Sequence, residues 1–197
     1  MQKPVRTFSS LVGILILLNI ILLAAVSYLL LSRWPNISDI HRIDIKDPSG
    51  RNRIVLSNEE KIPDPIIGGK VFQRAYKPAG LIFYDRKGNE RGGLAITDNE
   101  QTNLNALAFD YQNADAVGIL AQDNKNDDYF RAGMIINDKD PAARPGHNIN
   151  RINLITENGN ASLVIKDRKE IPRIILKVDS LGNPSIEMFD ADGKAIR

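Results

Sequence analysis

The sequence predicts an all-β domain, an antiparallel meander of short hairpins, preceded by one N-terminal transmembrane helix. Three observations carry this reading. Leu11 to Leu31 (LVGILILLNIILLAAVSYLLL) runs 21 residues without a charge. After residue 35 no stretch sustains the 3.6-residue apolar period of a packed helix. Short apolar runs alternate there with turn sequences, and the turn-opening residues Asp167, Asp179 and Asp190 recur at spacings of 12 and 11. That spacing fits strands of about five residues joined by tight turns.

As a helix, Leu11–Leu31 would be roughly 31 Å long at ~1.5 Å per residue, about the thickness of a bilayer's hydrocarbon layer. A helix also satisfies its own backbone polar groups, which lipid cannot do. An uncleaved signal anchor is the leading reading. A cleaved signal peptide is the alternative, with Lys3 and Arg6 as its basic region and Ala25-Val26-Ser27 as its small-x-small site. The apolar run exceeds the ~7–15 residues usual in a signal peptide. Trp34 and Arg33 suit a headgroup region, and Pro35 ends the helix. Asn19, in mid-span, invites a hydrogen bond to a partner helix or is a tolerated single amide. The short basic tail leads to the expectation of an N-terminus in the cytoplasm and a C-terminal domain outside the membrane. The domain reading is a tail over 1–10, the span over 11–31, a juxtamembrane linker over 32–40 and the β domain over 41–197.

Charge narrows the partners. The chain carries 26 basic and 24 acidic residues. Lys3, Arg6 and Arg33 belong to the anchor region, leaving 23 basic and 24 acidic residues after it, net −1. A balanced domain without a Lys/Arg stripe is a poor nucleic-acid binder. With no cysteine in the chain, disulfides, thiolate metal sites and thiol catalysis are excluded.

Along the exported part, Ile43 and Ile45 alternate with polar residues, Asp47-Pro48-Ser49-Gly50 reads as a type I turn, and Arg53–Leu56 returns as a strand. Residues 59–80, broken by Pro63, Pro65, Gly68, Gly69 and Pro78, read as a wandering connection with a short strand near Val71-Phe72. Gly68-Gly69-Lys70 lacks both the earlier glycine and the following Ser/Thr of a phosphate loop. Leu81–Tyr84 and Gly92–Ile96 form the clearest hairpin. Residues 98–105 read as a polar loop. Strands follow around Leu107–Phe109, Val117–Leu120 and Tyr129–Asn137, with Gln112–Asp115 as a turn. Asp123–Asp128 (DNKNDD) has alternate oxygen side chains like a calcium loop, but Tyr129 stands at its glycine position and Ile135 at its bidentate glutamate position. After a Pro/Gly loop over 138–148, Asn158-Gly159 marks a hairpin. In the last strands Ile174, Leu176 and Val178 share one face, as do Ile186 and Met188. Ile175 and Phe189 lie on the opposite face, and a one-faced sheet would leave them wet. A second layer, as in a sandwich or barrel, or another subunit is expected to cover them.

Several segments together resemble a known family. Ala79–Ile96 (AGLIFYDRKGNERGGLAI) is similar to the Gly-Leu-x-Phe-Phe/Tyr-x-x-x-Gly-x-Glu-x-Gly-Gly-Leu segment of a family of uncharacterised bacterial single-pass membrane proteins with a C-terminal β-hairpin-repeat domain. Arg53–Asn58 and Pro172–Ile196 resemble that family's early Arg-x-Val-Ile-Ser-Asn and closing Pro-Arg-Ile-x-Leu and Asp-x-Asp-Gly segments. The resemblance implies an anchored β domain and carries over no catalytic residue.

Chemistry is sparsely represented. His41 and His147 are the two histidines, too few alone for a three-ligand zinc site, and no Gly-x-Ser-x-Gly elbow or His-Glu-x-x-His occurs. Most aspartates open turns, a structural task. No catalytic, cofactor-binding or metal residue is assigned, and no cofactor is expected. The expectation is a non-catalytic, membrane-anchored module for protein interaction or assembly, with a protein partner or a homo-oligomer. A small-ligand or glycan-binding β domain is the alternative.

Overall fold

The computed structural model describes residues 5–32, 40–74, 76–100 and 102–196. It divides into two units, residues 1–40 and 41–197.

The first unit holds one helix, α1 (Val5–Ser32). Its stretch Ser10–Ser32 has a mean hydropathy of 2.8 and no burial, so it is long and apolar enough to cross a membrane. The helix begins earlier than expected, taking in half of the supposed tail, because no residue between Val5 and Leu11 breaks it. Asn19 donates its side-chain amide to the Leu15 carbonyl at 2.9 Å, one turn back. Its N–H is thereby satisfied within the helix. Trp34, Pro35 and the rest of 33–39 lie outside the described residues.

The second unit is all-β. Its strands are β1 (Arg42–Lys46), β2 (Asn52–Ser57), β3 (Ile66–Ile67), β4 (Lys70–Val71), β5 (Ala79–Tyr84), β6 (Glu90–Asp98) and β7 (Thr102–Asp110). There follow β8 (Asp115–Asn124), β9 (Phe130–Asp138), β10 (Ile149–Glu157), β11 (Asn160–Lys166), β12 (Pro172–Val178), β13 (Pro184–Phe189) and β14 (Ala195–Ile196). Twelve of them form one antiparallel sheet in the order β1-β2-β5-β6-β7-β8-β9-β10-β11-β12-β13-β14. Apart from the step over β3–β4, spatial order is chain order. The sheet is open, with β1 and β14 as its ends, so it is neither a closed barrel nor a two-sheet sandwich.

One turn, used five times, sets the meander. In Asp47–Arg51, Asp85–Asn89, Asp167–Ile171, Asp179–Asn183 and Asp190–Lys194, the amide of the fourth residue donates to the aspartate carbonyl. The aspartate amide in turn donates to the carbonyl of the fifth. The aspartate Oδ1 accepts the amides of the third and fifth residues at 2.8–3.1 Å. A short carboxylate thus satisfies amides that the turn leaves without ladder partners. The fourth position has positive φ and is glycine in four turns, while Glu170 takes it at φ 63° in the other.

The polar residues over 98–105 extend strands instead of forming a loop: β6 runs to Asp98 and β7 starts at Thr102. Ladder hydrogen bonds are indifferent to side-chain polarity, so long strands carry polar ends. The short strand near Val71 is present as β4, and its partner β3 was not anticipated. Gly68 and Gly69 both take positive φ between them, as a two-residue hairpin turn requires. The Gly69 amide donates to Asn89 Oδ1 at 2.7 Å, which makes this glycine pair a structural turn.

The 59–78 connection supplies what core there is. Ile62 packs in one buried cluster with Val55, Ile82 and Tyr84. Arg74 then holds Glu90 at 2.6 Å, fixing the end of the connection to β6.

Candidate functional site

The strand register gives the sheet two chemically different faces. Following the paired residues from β1 to β13, one row reads Ile43, Leu56, Leu81, Leu94, Leu107, Ile119, Met134, Leu154, Leu163, Leu176, Ile186. Every member is aliphatic. Two residues along each strand, on the same face, runs a second row from Ile45, Ile54 and Phe83 through Phe109, Val117, Ile136, Ile152, Ile165 and Ile174 to Met188 and Ile196. Phe83 and Phe109 stack in it with ring centres 6.3 Å apart. On the other flank a shallower row holds Ala79, Ile96, Asn105, Ala121, Ala132, Thr156, Ala161, Val178 and Pro184.

The opposite face is small-featured in its middle, with Gly93, Ala95, Ala106, Ala108, Gly118 and Gly133, and polar towards its end, with Asn153, Ser162, Lys177 and Glu187. Its larger members, among them Ile82, Ile135, Ile155 and Ile175, are buried or half-buried. A flat single layer would expose both faces alike. Through the middle strands this face is therefore the more sheltered one, and at the β2–β5 end the 59–78 connection packs on it through Ile62. Gly133 shows how close the backbones come there: a Cβ on it would sit 2.2 Å from the Leu154 carbonyl oxygen.

The aliphatic face is bare. Among the described residues, every large hydrophobic side chain that is exposed in the twelve-stranded sheet points to this face. Leu94 is 43% exposed, Ile119 51% and Leu154 56%, although β6, β8 and β10 are interior strands. Ile175 and Phe189, which a one-faced sheet would leave wet, are half-covered, and the face of Leu176, Ile186 and Met188 is the wet one. Pattern alone could reveal an apolar row within each strand, but only the register joins eleven strands into one surface.

A second feature lies beyond the other face, where β6, β7 and β8 end. Glu90, Asp110 and Asp115 line a cleft of about 590 Å³ walled by the Tyr111–Ala114 turn and the loop before β10. That loop is pinned. Asn113, 3% exposed, donates to the Arg144 and His147 carbonyls and to Asn148 Oδ1, while Asn148 donates back to the Ala114 and Asp115 carbonyls. Asp140 accepts the Arg144 guanidinium at 2.6 Å together with two backbone amides, which pulls its carboxyl down to about 2.

Burial, then the charge of and a hydrogen bond with Asp115, push the Asp110 carboxyl up to about 7. Burial and the neighbouring negative charge thus favour the protonated form of Asp110. Burial also raises Glu90 against the pull of Arg74, and burial beside Glu90 pushes Tyr84 up to about 12. Asp110 Oδ1 and Asn113 Oδ1 are buried without a partner. The sequence offered no sign of this cluster, because its three acids come from three strands.

His41 and His147 do not meet an acid–nucleophile pair. His41 Nδ1 faces the Asn58 amide at 3.0 Å, and His147 stacks its ring nitrogens against Arg144 at 3.0 and 3.2 Å. In the DNKNDD segment Lys125 is paired with Asp98, and Asp127 accepts the Tyr129 amide. Among the described residues no group of three or more His, Asp or Glu side chains is placed to hold a metal ion. Neither a family model nor a curated protein matches this chain.

Proposed function

We propose that this protein is a non-catalytic β module for protein assembly, held at a bacterial inner membrane by α1 with its N-terminus in the cytoplasm and its β domain outside. The observation that carries the reading is the bare aliphatic face. Water-facing patches on monomers rarely exceed about 300–600 Å², and larger ones mark interaction surfaces. Here the patch runs across the whole sheet.

Full-length protein extracted in mild detergent, sized by light scattering with the detergent mass subtracted, tests the reading. A homo-oligomer or a stoichiometric companion supports it, and a lone monomer contradicts it. Protease added to intact spheroplasts should digest the β domain; protection until lysis would reverse the orientation.

The cleft beside Asp110 favours a second reading, capture of a small polar ligand. Its volume is in the range of ligand sites, roughly 300–1,000 Å³, and it keeps two buried oxygens free to accept hydrogen bonds. A thermal-shift screen of sugars and amines supports this reading if any compound stabilises the wild-type chain and not Asp110→Ala; a flat screen removes it.

A further inference from the structure

The aliphatic face has relief as well as chemistry. The row from Ile43 to Ile186 is a ridge of Leu, Ile and Met. Over β8 to β11 the row beside it is a trough, with Ala121 in β8, Ala132 in β9 and Ala161 in β11 next to Ile119, Met134 and Leu163 of the ridge, while Ile96 in β6 and Val178 in β12 rise at its two sides. Ridge and trough lie side by side on the same strands, two residues apart. A two-fold axis running along the rows, midway between them, would turn one copy face to face with another and exchange the two rows. The ridge of each copy would then fill the trough of the other, strand over the same strand. Such an axis also keeps the strands of both sheets aligned, the usual geometry of face-packed sheets.

We propose that the aliphatic face is the interface between two copies of this chain, related by that axis. This rests on the assembly reading above and names its partner. Three further observations favour a second copy over other occupants. Neither the ridge nor the Ile45–Ile196 row carries a charged residue, and the acids of this face, Asp98 and Asp123, stand at one end of β6 and β8 beyond the trough. The exposed apolar side chains on it hold on the order of 1,000 Å², against the ~800 Å² that each partner gives to a standard interface. Copies anchored in the same bilayer by the same helix also meet at raised effective concentration, so a modest affinity between faces suffices.

Because the chain has no cysteine, single cysteines report the contact directly. Ile119→Cys and Leu94→Cys on the ridge and Ala121→Cys in the trough, in full-length protein in native membranes, should each cross-link to twice the chain mass with a short bismaleimide. The exposed Lys177→Cys on the opposite face should remain monomeric under the same conditions. Chains carrying Ile119→Cys and Ala121→Cys, co-expressed with different tags, should form the mixed disulfide in preference to either self-pair, since the axis sets ridge against trough. Ile119→Lys should weaken self-association about tenfold or more, because it seats a charge in the apolar seam. Cross-links from the ridge to a different protein, with none between copies, would overturn the second copy and leave the assembly reading standing. Modification of all positions without any cross-linked product would overturn both. Leu94 and Ala121 lie on separate strands from one another, so failure of one variant to fold leaves the others to decide.

Discussion

Ile175 and Leu176 are adjacent on β12 and face opposite ways, and the better covered of the two is Ile175: Leu176, in the aliphatic row, is 39% exposed. The same inversion holds through the interior strands β6, β8 and β9. The face with the larger apolar side chains is the open one, and the face rich in Gly, Ala and Ser is the sheltered one.

Truncations on the two faces should therefore differ in the isolated chain. Val55 is fully buried, and Val55→Ala should cost about 2 kcal/mol by the loss of buried methyls and the cavity left behind. Leu154→Ala removes a larger side chain from the open face and should cost under about 1 kcal/mol at dilutions where the chain is monomeric. Urea midpoints of the two variants, read by circular dichroism, check the order. At high protein concentration Leu154→Ala should become the more damaging of the two.

Gly133 should resist substitution. A Cβ there meets the Leu154 carbonyl oxygen at 2.2 Å and Ile155 Cα at 2.8 Å, both on the neighbouring strand. Gly133→Ala must push β9 and β10 apart and should cost about 3 kcal/mol or more. Gly118, whose nearest such neighbour is at 3.7 Å, provides the contrast: Gly118→Ala should stay within about 1 kcal/mol of wild type. Thermal melts of both variants separate the two cases.

At the fourth position of the β11–β12 turn, Glu170 adopts φ 63° where the four sister turns use glycine. Its carboxylate accepts the Asn150 amide at 2.7 Å. Glu170→Ala loses that bond and keeps the strained backbone, whereas Glu170→Gly loses the bond and relieves the strain. The glycine variant should be about 1 kcal/mol more stable than the alanine variant. Gly182→Ala, at φ 88°, should destabilise by a similar amount.

The carboxyls set a pH optimum. Asp110, raised to about 7 from 3.8, keeps its proton in the folded chain where the unfolded chain has lost it. Its contribution is full below about pH 4 and falls away as pH rises to about 7. Asp140, Asp167 and Asp179 are held below the ordinary value by Arg144, Arg173 and Asn183 respectively. Their contribution is present above about pH 4 and is lost as pH falls through their folded values. Thermal stability should thus peak near ~pH 4–5 and decline on both sides. Asp110→Asn, which mimics the protonated acid, should flatten the decline between about pH 4 and 7 and leave the loss below it unchanged. An unaltered slope would show that Asp110 does not hold the proton.

Local signals were the legible part of this protein. The turn aspartates, the Asn158-Gly159 hairpin and the alternation of Ile174, Leu176 and Val178 each depend on a few neighbouring residues, and the meander followed from them. Strand ends were harder to read, since Thr97, Asp98, Thr102 and Asn103 look like loop residues, while Thr97, Asp98 and Asn103 pair across β6 and β7 and Thr102 pairs with Asn124 of β8. Which apolar face is open could not be read locally at all. At the β2–β5 end it depends on where the 59–78 connection folds, through Ile62, against Val55 and Ile82. The Glu90–Asp110–Asp115 cluster was hidden for a related reason: its members are separated in the chain and meet only through strand register.

Solvent access at Ile119 tests the central claim, that the aliphatic face is covered by protein in the working assembly. Ile119→Cys and Lys177→Cys chains in isolated native membranes would be treated with a hydrophilic maleimide, and the rate of labelling measured at each position. The account requires Lys177→Cys to react fast and Ile119→Cys to react at least about tenfold more slowly until the assembly is dissociated by detergent or dilution. Equal, rapid labelling at both positions in native membranes would mean that the face stands bare in water, and would contradict the account.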